Sequence, residues 1–386
     1  MTRVKSEREL EDIQRKIEYT DGEMRVFVAD ILPKDYEIRK NMKDRMLELE
    51  NLVNTYGGVV IVRHIQNKAV PDYNTFIGEG RLDDIISEME RENANILILG
   101  NILKPHQIYK INEKLRPIGA KAWDRVDLIL KIFEKNAQSA ESKMQIELAA
   151  IKHMGPRIFG MGMELSKQGG GVGTRGKGET NTEIMKRHLR KKEQHIRKEL
   201  DHYSKVRAQH RQSRARKGFL TIGVVGYTNA GKSTLTNALT KKGVLAEDKL
   251  FATLGTSVGK MWLPTPDGRG KNFLINDTIG FIRELPPKLV EAFKSTLEDS
   301  IESDLLLHVV DTGDIKIEEK IRVVDEILEK IGAHQKKLYI FNKTDGVSEE
   351  RMKELKEKFV DLNPIFISAV EKTGLDELKT QIVENL

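Results

Sequence analysis

The amino-acid sequence predicts an α/β protein: an N-terminal domain on a parallel sheet, a long helical hairpin of the coiled-coil kind, and a C-terminal phosphate-loop domain with a mostly parallel sheet. Three observations predict it. Short apolar runs rich in Val and Ile alternate with helical stretches at both ends of the chain, the rhythm of strand–helix–strand units. The stretch between them is helical, narrowly striped with apolar residues and otherwise polar, which suits two packed helices better than a globular core. Gly226-Tyr-Thr-Asn-Ala-Gly-Lys-Ser233 fits the pattern GxxxxGK[ST] between an expected strand and an expected helix, the context that pattern needs. A chain of 386 residues has room for two or three domains, and the boundaries fall at 1–125, 126–217 and 218–386.

Hydrophobic residues make up 39% of the chain and charged residues 32%, which excludes a membrane-embedded protein and a wholly disordered one. No run approaches the ~18 apolar residues of a membrane span. The opening MTRVKSEREL has neither an apolar core nor a cleavage pattern, so it does not read as a signal peptide. With no cysteine, disulfides, thiolate metal sites and cysteine nucleophiles are excluded, and a cytoplasmic location is expected. The net charge of +6 is uneven. Lys152 to Lys217 holds 18 Lys/Arg against 6 Asp/Glu, and five of the nine histidines (His153, His188, His195, His202, His210). The rest of the chain is net negative. A block of this sign and density points to a polyanionic partner, most naturally nucleic acid.

In the N-terminal region Arg25–Val28, Val59–Val62 and Ile96–Leu99 read as buried strands, and Glu37–Tyr56 and Arg81–Asn93 as helices. Thr75-Phe-Ile77 is a short extended piece. It leads into Gly78-Glu-Gly-Arg81, which reads either as a tight turn or as an anion-binding turn at a helix start. In the middle region Ile129, Phe133, Ala137, Ala140, Met144, Leu148 and Ile151 recur at steps of four and three, predicting one continuous helix. Gly155 to Gly178 holds nine glycines in 24 residues and reads as a tip or a linker. As a tip, its backbone and Arg157, Lys167, Arg175 and Lys177 could approach phosphates closely. A second helix is expected from about Glu179, with the stripe Met185, Leu189, Ile196, Leu200, Tyr203 and Val206.

The C-terminal region repeats the α/β rhythm. Phe219–Val225, Met261–Leu263, Phe273–Asn276, Leu305–Val310, Leu338–Phe341 and Ile365–Ile367 read as strands, and Asp267-Gly268 turns the second back onto the third as an antiparallel hairpin. In the loop Gly226, Tyr227, Thr228, Asn229, Ala230 and Gly231, backbone N–H groups face a β-phosphate. Lys232 reaches the β- and γ-phosphates, the Ser233 hydroxyl is a Mg²⁺ ligand, and Thr234 follows in the helix. Asp277-Thr278-Ile279-Gly280 ends the next long strand. There an Asp holds Mg²⁺ through water and the Gly280 amide senses the γ-phosphate. Asn342-Lys343-Thr344-Asp345 ends a later strand, and its carboxylate can accept two N–H bonds from the guanine edge; adenine offers no matching donor pair, so the motif selects GTP over ATP. Ser368-Ala369 ends the last strand, where backbone N–H can meet the guanine carbonyl. All these motifs lie at strand C-termini, where open α/β sheets bind ligands.

The metal needs a further ligand between Ser233 and Asp277. Phe251-Ala252-Thr253 supplies it, with Thr256 as the competitor of Thr253. Lys232, Thr253 and Gly280 form the catalytic set. Asn229 either offers its carbonyl to a K⁺ ion beside the phosphates or only braces the loop. His308, inside an apolar run, reads as a core residue, and Trp123 and Trp262 as packing. Phe281 stands directly after Gly280, where many GTPases carry a water-orienting Gln. A phenyl ring cannot orient water, so slow intrinsic hydrolysis is expected.

Gly169-Gly-Gly-Val-Gly-Thr-Arg-Gly-Lys-Gly-Glu-Thr180, then Gly226–Ser233, then Phe251-Ala-Thr-Leu254, then Asp277-Thr-Ile-Gly-Phe-Ile-Arg283 together resemble the HflX family of translational GTPases. The likeness runs over nearly the whole chain, and its glycine-rich stretch is the most diagnostic part. Gly255-Thr256 departs from the Asp-Pro that often follows the same Leu in the family. The resemblance implies a cytosolic GTPase that docks on the large ribosomal subunit, its hairpin near the peptidyl-transferase region, acting in splitting or rescue of stalled or idle ribosomes. It also implies an N-terminal domain that binds ATP in some members. The chain stops at Leu386, after the last expected helix, so the extra C-terminal domain of some relatives is not expected. The expected partners are therefore GTP or GDP and rRNA, with no membrane, and the expected state is a monomer. The competing reading is a GTP-dependent switch that binds a protein through its coiled coil.

Overall fold

The structure, a computed structural model, describes residues 24–34, 36–137, 139–168, 175–240, 257–264, 270–278, 280–283, 289 and 302–386. It divides the chain into two units, Met1–Leu128 and Ile129–Leu386.

The first unit is built on four parallel strands: β1 (Met24–Leu32), β2 (Gly58–Asn67), β3 (Ile96–Leu99) and β4 (Lys121–Asp124), in the order β2-β1-β3-β4. Helices α1 (Tyr36–Tyr56), α2 (Glu79–Arg91) and α3 (Pro105–Leu115) connect them. Strand β1 reads MRVFVADIL, apolar except at Arg25 and Asp30, as suits a strand covered on both faces. Phe27, Ala29 and Ile31 join Leu82, Ile85 and Met89 of α2 and Ile108, Ile111 and Leu115 of α3 in one core. The strand that sequence periodicity misses is β4. It is four residues long and reads KAWD, without an apolar run. The Gly78 turn is engaged within the unit: its N–H donates to Gln66 Oε1 at 2.8 Å, and Arg81 Nη2 lies 2.9 Å from His64 Nδ1.

The second unit begins in a helical hairpin. One continuous helix was expected over the 126–151 stripe; the structure has two, α4 (Arg125–Asn136) and α5 (Ala140–Gln168). The break is at Ser139, whose hydroxyl accepts the Ser142 N–H at 3.0 Å and so caps the second helix. The glycine-rich stretch also differs from expectation. Helix α5 continues through Gly155 to Gln168, and α6 (Arg175–Arg216) starts before Glu179; residues 169–174 lie outside the described ones. The two long helices pack on each other, with Ile196 of α6 buried and with Arg207–Glu141 and Lys192–Glu147 (2.5 Å) pairing across them. Arg157, expected at a phosphate-facing tip, is 4% exposed and is packed away instead.

Three residues separate α6 from a six-stranded sheet: β5 (Leu220–Gly226), β6 (Ser257–Leu263), β7 (Lys271–Asp277), β8 (Leu305–Asp311), β9 (Lys337–Asn342) and β10 (Ile365–Phe366), in the order β10-β9-β8-β5-β7-β6. All neighbours are parallel except the β6–β7 hairpin. Its expected turn at Asp267-Gly268 lies outside the described residues. Helices α7 (Lys232–Leu239), α8 (Ile317–Ile331), α9 (Glu349–Lys358) and α10 (Leu375–Glu384) connect the strands. Alternate residues of β8 serve opposite faces. Leu305, Leu307 and Val309 pack with Leu235 and Leu378, whereas Val310 packs with Ile317, Ile321 and Phe341. Trp123 packs as expected, edge-on to Tyr56. Trp262, also expected to pack, lies against Gly270 but is 58% exposed on the edge strand β6.

Candidate guanine-nucleotide site

The loop from Gly226 to Gly231 joins β5 to α7 at the carboxyl edge of the second sheet. Its sharp turn is set by Asn229 (φ 63°) and Gly231 (φ 92°). At Gly231 a side chain is excluded twice, by the positive φ and because a Cβ would overlap the Asn342 amide. Lys232 opens α7 with its side chain folded into the loop, where Nζ donates to Tyr227 O at 2.8 Å. Burial pushes this ammonium down to about 8, although Asp277 opposes the fall. The lysine is thus a desolvated cation that gains most by meeting an anion such as a phosphate.

Ser233, the next residue, donates its hydroxyl to Asp277 Oδ2 at 2.7 Å. This brings the phosphate loop and the end of β7 together. A hydroxyl and a carboxylate side by side are hard oxygen donors, which suit Mg²⁺ and not a soft metal. Thr278 donates to Val224 O at 2.6 Å, fixing the turn that leads to Gly280. Phe251, Ala252, Thr253, Thr256 and Ile279 lie outside the described residues.

The expected base-reading motif is adjacent. Asn342, at the end of β9, braces three segments at once. Its Nδ2 donates to Ala230 O at 3.0 Å, and its Oδ1 accepts the Ala369 N–H at 3.0 Å. Asp345 Oδ1 accepts the Ser368 hydroxyl at 2.5 Å, and Thr344 N–H donates to Ile367 O at 3.2 Å. Lys343 adopts φ 67° and pairs with Asp311 at 2.8 Å. Sequence reasoning missed two supports. Thr312 donates to Asn342 O and Lys343 O at 2.9 and 3.0 Å. The Tyr227 hydroxyl accepts the Arg283 N–H at 2.9 Å. Neither follows from spacing, because the partners are 30 and 56 residues apart. His308 is 1% exposed, 3.6 Å from Asp325 on α8, and takes no part in the site.

Phosphate chemistry at the ends of β5 and β7 and base recognition at the ends of β9 and β10, in this order on one sheet edge, define the class: this is a P-loop GTPase, a protein that binds and hydrolyses GTP. Three family descriptions match the chain in succession: "GTP-binding GTPase N-terminal" over residues 43–134, "GTP-binding GTPase Middle Region" over 136–214, and "50S ribosome-binding GTPase" over 221–343. The GTPase HflX of Caldanaerobacter subterraneus subsp. tengcongensis is 40% identical, covering 95% of this chain and 81% of that protein. That of Escherichia coli K12 is 35% identical over 95% and 84%. The crystal structure of SsGBP in complex with GDP aligns with a TM-score of 0.54 at 26% identity, covering 94% of this chain and 98% of that one. The chain belongs to the HflX family of GTPases.

Proposed function

We propose that this GTPase docks on the large ribosomal subunit through rRNA and works in splitting or rescue of stalled or idle ribosomes. The observation that carries the RNA part is the outer face of α6. His188, Lys191, His195, Lys198, His202 and Lys205 follow one another at alternating steps of three and four, and every one is exposed. That spacing lines them along one side of a helix for roughly 25 Å at 1.5 Å per residue. A phosphate backbone laid along this row meets lysines about two turns apart, and neutralising its charges releases counterions. The family description over 221–343 names a 50S ribosome-binding GTPase, which supports the same partner.

In this reading the N-terminal α/β domain (1–125) and the hairpin (126–217) are the docking part, and the GTPase domain (218–386) is the switch. The backbone of 226–231 and Lys232 hold the phosphates. Ser233 and Thr253 would hold Mg²⁺, with Asp277 behind Ser233. Bound there, the ion would neutralise phosphate charge as the bond to the γ-phosphoryl breaks. Asn229, exposed at the loop's apex, offers a place for K⁺. Asp345, Ser368 and Ala369 read guanine. The protein acts as a cytoplasmic monomer.

The test is sedimentation with large and small ribosomal subunits across a salt series, in the presence of GDP or a non-hydrolysable GTP analogue. Wild type should pellet with large subunits. Replacing Lys191, Lys198 and Lys205 together by Ala should weaken that binding and lower the salt slope by roughly 2 to 3, with GTP binding retained. Equal affinity and slope would assign α6 to a protein partner instead.

A further inference from the structure

We propose that Tyr73 and His106, in the N-terminal unit, form a stacking platform for one unpaired base of RNA. The inference rests on the reading of this protein as RNA-binding. It adds which kind of RNA the N-terminal domain takes: an unpaired strand, not a duplex.

The platform is built by a turn and the start of a helix. Strand β2 ends at Asn67. The chain then closes a turn in which Asp72 N–H donates to Phe76 O at 2.7 Å and Phe76 N–H donates to Asp72 O at 3.2 Å. The Asp72 carboxylate holds the turn from within, accepting the N–H groups of Asn74 and Thr75 at 2.9 and 3.2 Å. Phe76 and Ile77 anchor its far end in the core. Gln107 of α3 ties the turn to the loop after β3. Its Nε2 donates to Asp72 O at 2.7 Å, and its Oε1 accepts the Lys104 N–H at 2.9 Å. His106 adds a further tie. A carbonyl oxygen only accepts, so the 2.5 Å contact between His106 Nε2 and Tyr73 O is a donation from the ring, which fixes the imidazole beside the tyrosine.

The outcome is an aromatic ring that the fold holds out in water. The Tyr73 ring is stacked on the imidazole, with centroids 4.7 Å apart and planes at 29°, yet Tyr73 is 73% exposed. A ring whose backbone is already bonded in place has little freedom left to lose on binding. Its open face suits a nucleobase, because every base has a π-face to stack. The charges around it suit the phosphate that comes with a base. Segments 66–76 and 101–110 hold three lysines (Lys68, Lys104, Lys110) against one carboxylate, Asp72. That carboxylate is engaged by its own turn and lies 3.7 Å from Lys68. Lys104 and Lys110 are exposed, and the Lys104 ammonium lies 6.0 Å from the Tyr73 centroid. Both segments leave the carboxyl ends of parallel strands, the edge at which such sheets bind ligands. Bases within a duplex are stacked on one another, and only unpaired ones splay out onto aromatic side chains. Val70 and Ile102 of the same segments are exposed too, so a protein partner is the rival that the test has to exclude.

The test is fluorescence anisotropy of the full chain with a labelled oligoadenylate of about 12 nucleotides, alone and paired with oligouridylate. Tyr73→Ala should weaken single-strand binding by roughly five- to a hundredfold, the worth of one stacked base, and leave duplex binding unchanged. Tyr73→Phe, which keeps the ring, should bind like wild type. Lys104→Ala should lower the single-strand salt slope by about 0.7. Replacing Lys191, Lys198 and Lys205 by Ala should weaken both forms alike, since phosphates are present in each. Unchanged single-strand binding in Tyr73→Ala would overturn the platform and leave these loops to a protein partner. Equal loss on strand and duplex would overturn it as well. Wild type that binds neither form would instead overturn the RNA reading on which the platform rests.

Discussion

Asp345, proposed to read the base, has one carboxylate oxygen already tied to Ser368 at 2.5 Å, and Asn342 holds the same corner to the phosphate loop through Ala230. The proposed base-reading and phosphate-holding segments are therefore joined by hydrogen bonds. Asp345→Asn removes the paired acceptor for the guanine N–H groups. It should weaken GTP binding by roughly 1.5–3 kcal/mol and turn the preference toward XTP, as competition binding with GTP, ATP and XTP will show. The motifs at this scale were legible because phosphate and guanine chemistry dictate residue types at fixed spacings. The Tyr227–Arg283 bond was not, because a tyrosine at the second position of the loop has no meaning until the strand beside it is known.

Among the elements, β8, α8 and β9 are joined by a polar cluster. Asp325 of α8 accepts Lys337 Nζ at 2.7 Å and the Tyr339 hydroxyl at 3.1 Å, both from β9, and faces His308 of β8. Burial alone would raise this carboxyl; His308 and Lys337 outweigh it and hold the group at about 2, below its ordinary 3.8. A carboxyl lowered by folding stabilises the fold fully above about pH 4 and stops doing so as the pH falls through 2. Asp325→Asn should then cost about 1 kcal/mol at pH 7, after discounting for partial exposure, and progressively less toward pH 2. Urea unfolding of both proteins across that range measures it. The strands of both sheets other than β4 were legible from their apolar runs, but α5 was not. Glycine costs about 1 kcal/mol in a helix interior, so composition argued for a loop from Gly155. The packing of α6 along α5 outweighs that propensity. The break at Ser139 was readable, since a serine two residues before Glu141 is an N-cap signal.

For the whole molecule, the question is what completes catalysis. Phe281 is buried with its backbone bonded to the phosphate loop, so no side chain directly after Gly280 can orient water. Isolated protein should turn over GTP slowly, and large ribosomal subunits should stimulate it well beyond small ones. Lys232→Ala should abolish turnover and Phe281→Ala should not. Phosphate release at saturating GTP, in K⁺ and in Na⁺, decides this; fast turnover without ribosomes would reveal a catalytic group within the chain, and indifference to the cation would leave Asn229 a bracing residue. A basic middle and a phosphate loop could be read in the sequence, but not how they are joined. Helix α6 runs unbroken over 42 residues, about 63 Å at 1.5 Å per residue. Phe219 N–H still bonds back to Arg214 O at 3.2 Å, and β5 then runs straight to Gly226. The helix is therefore joined, within three residues, to the strand that ends in the phosphate loop. Over the length of the helix, a tilt of about 5° at the β5 end would sweep the far end through about 5 Å.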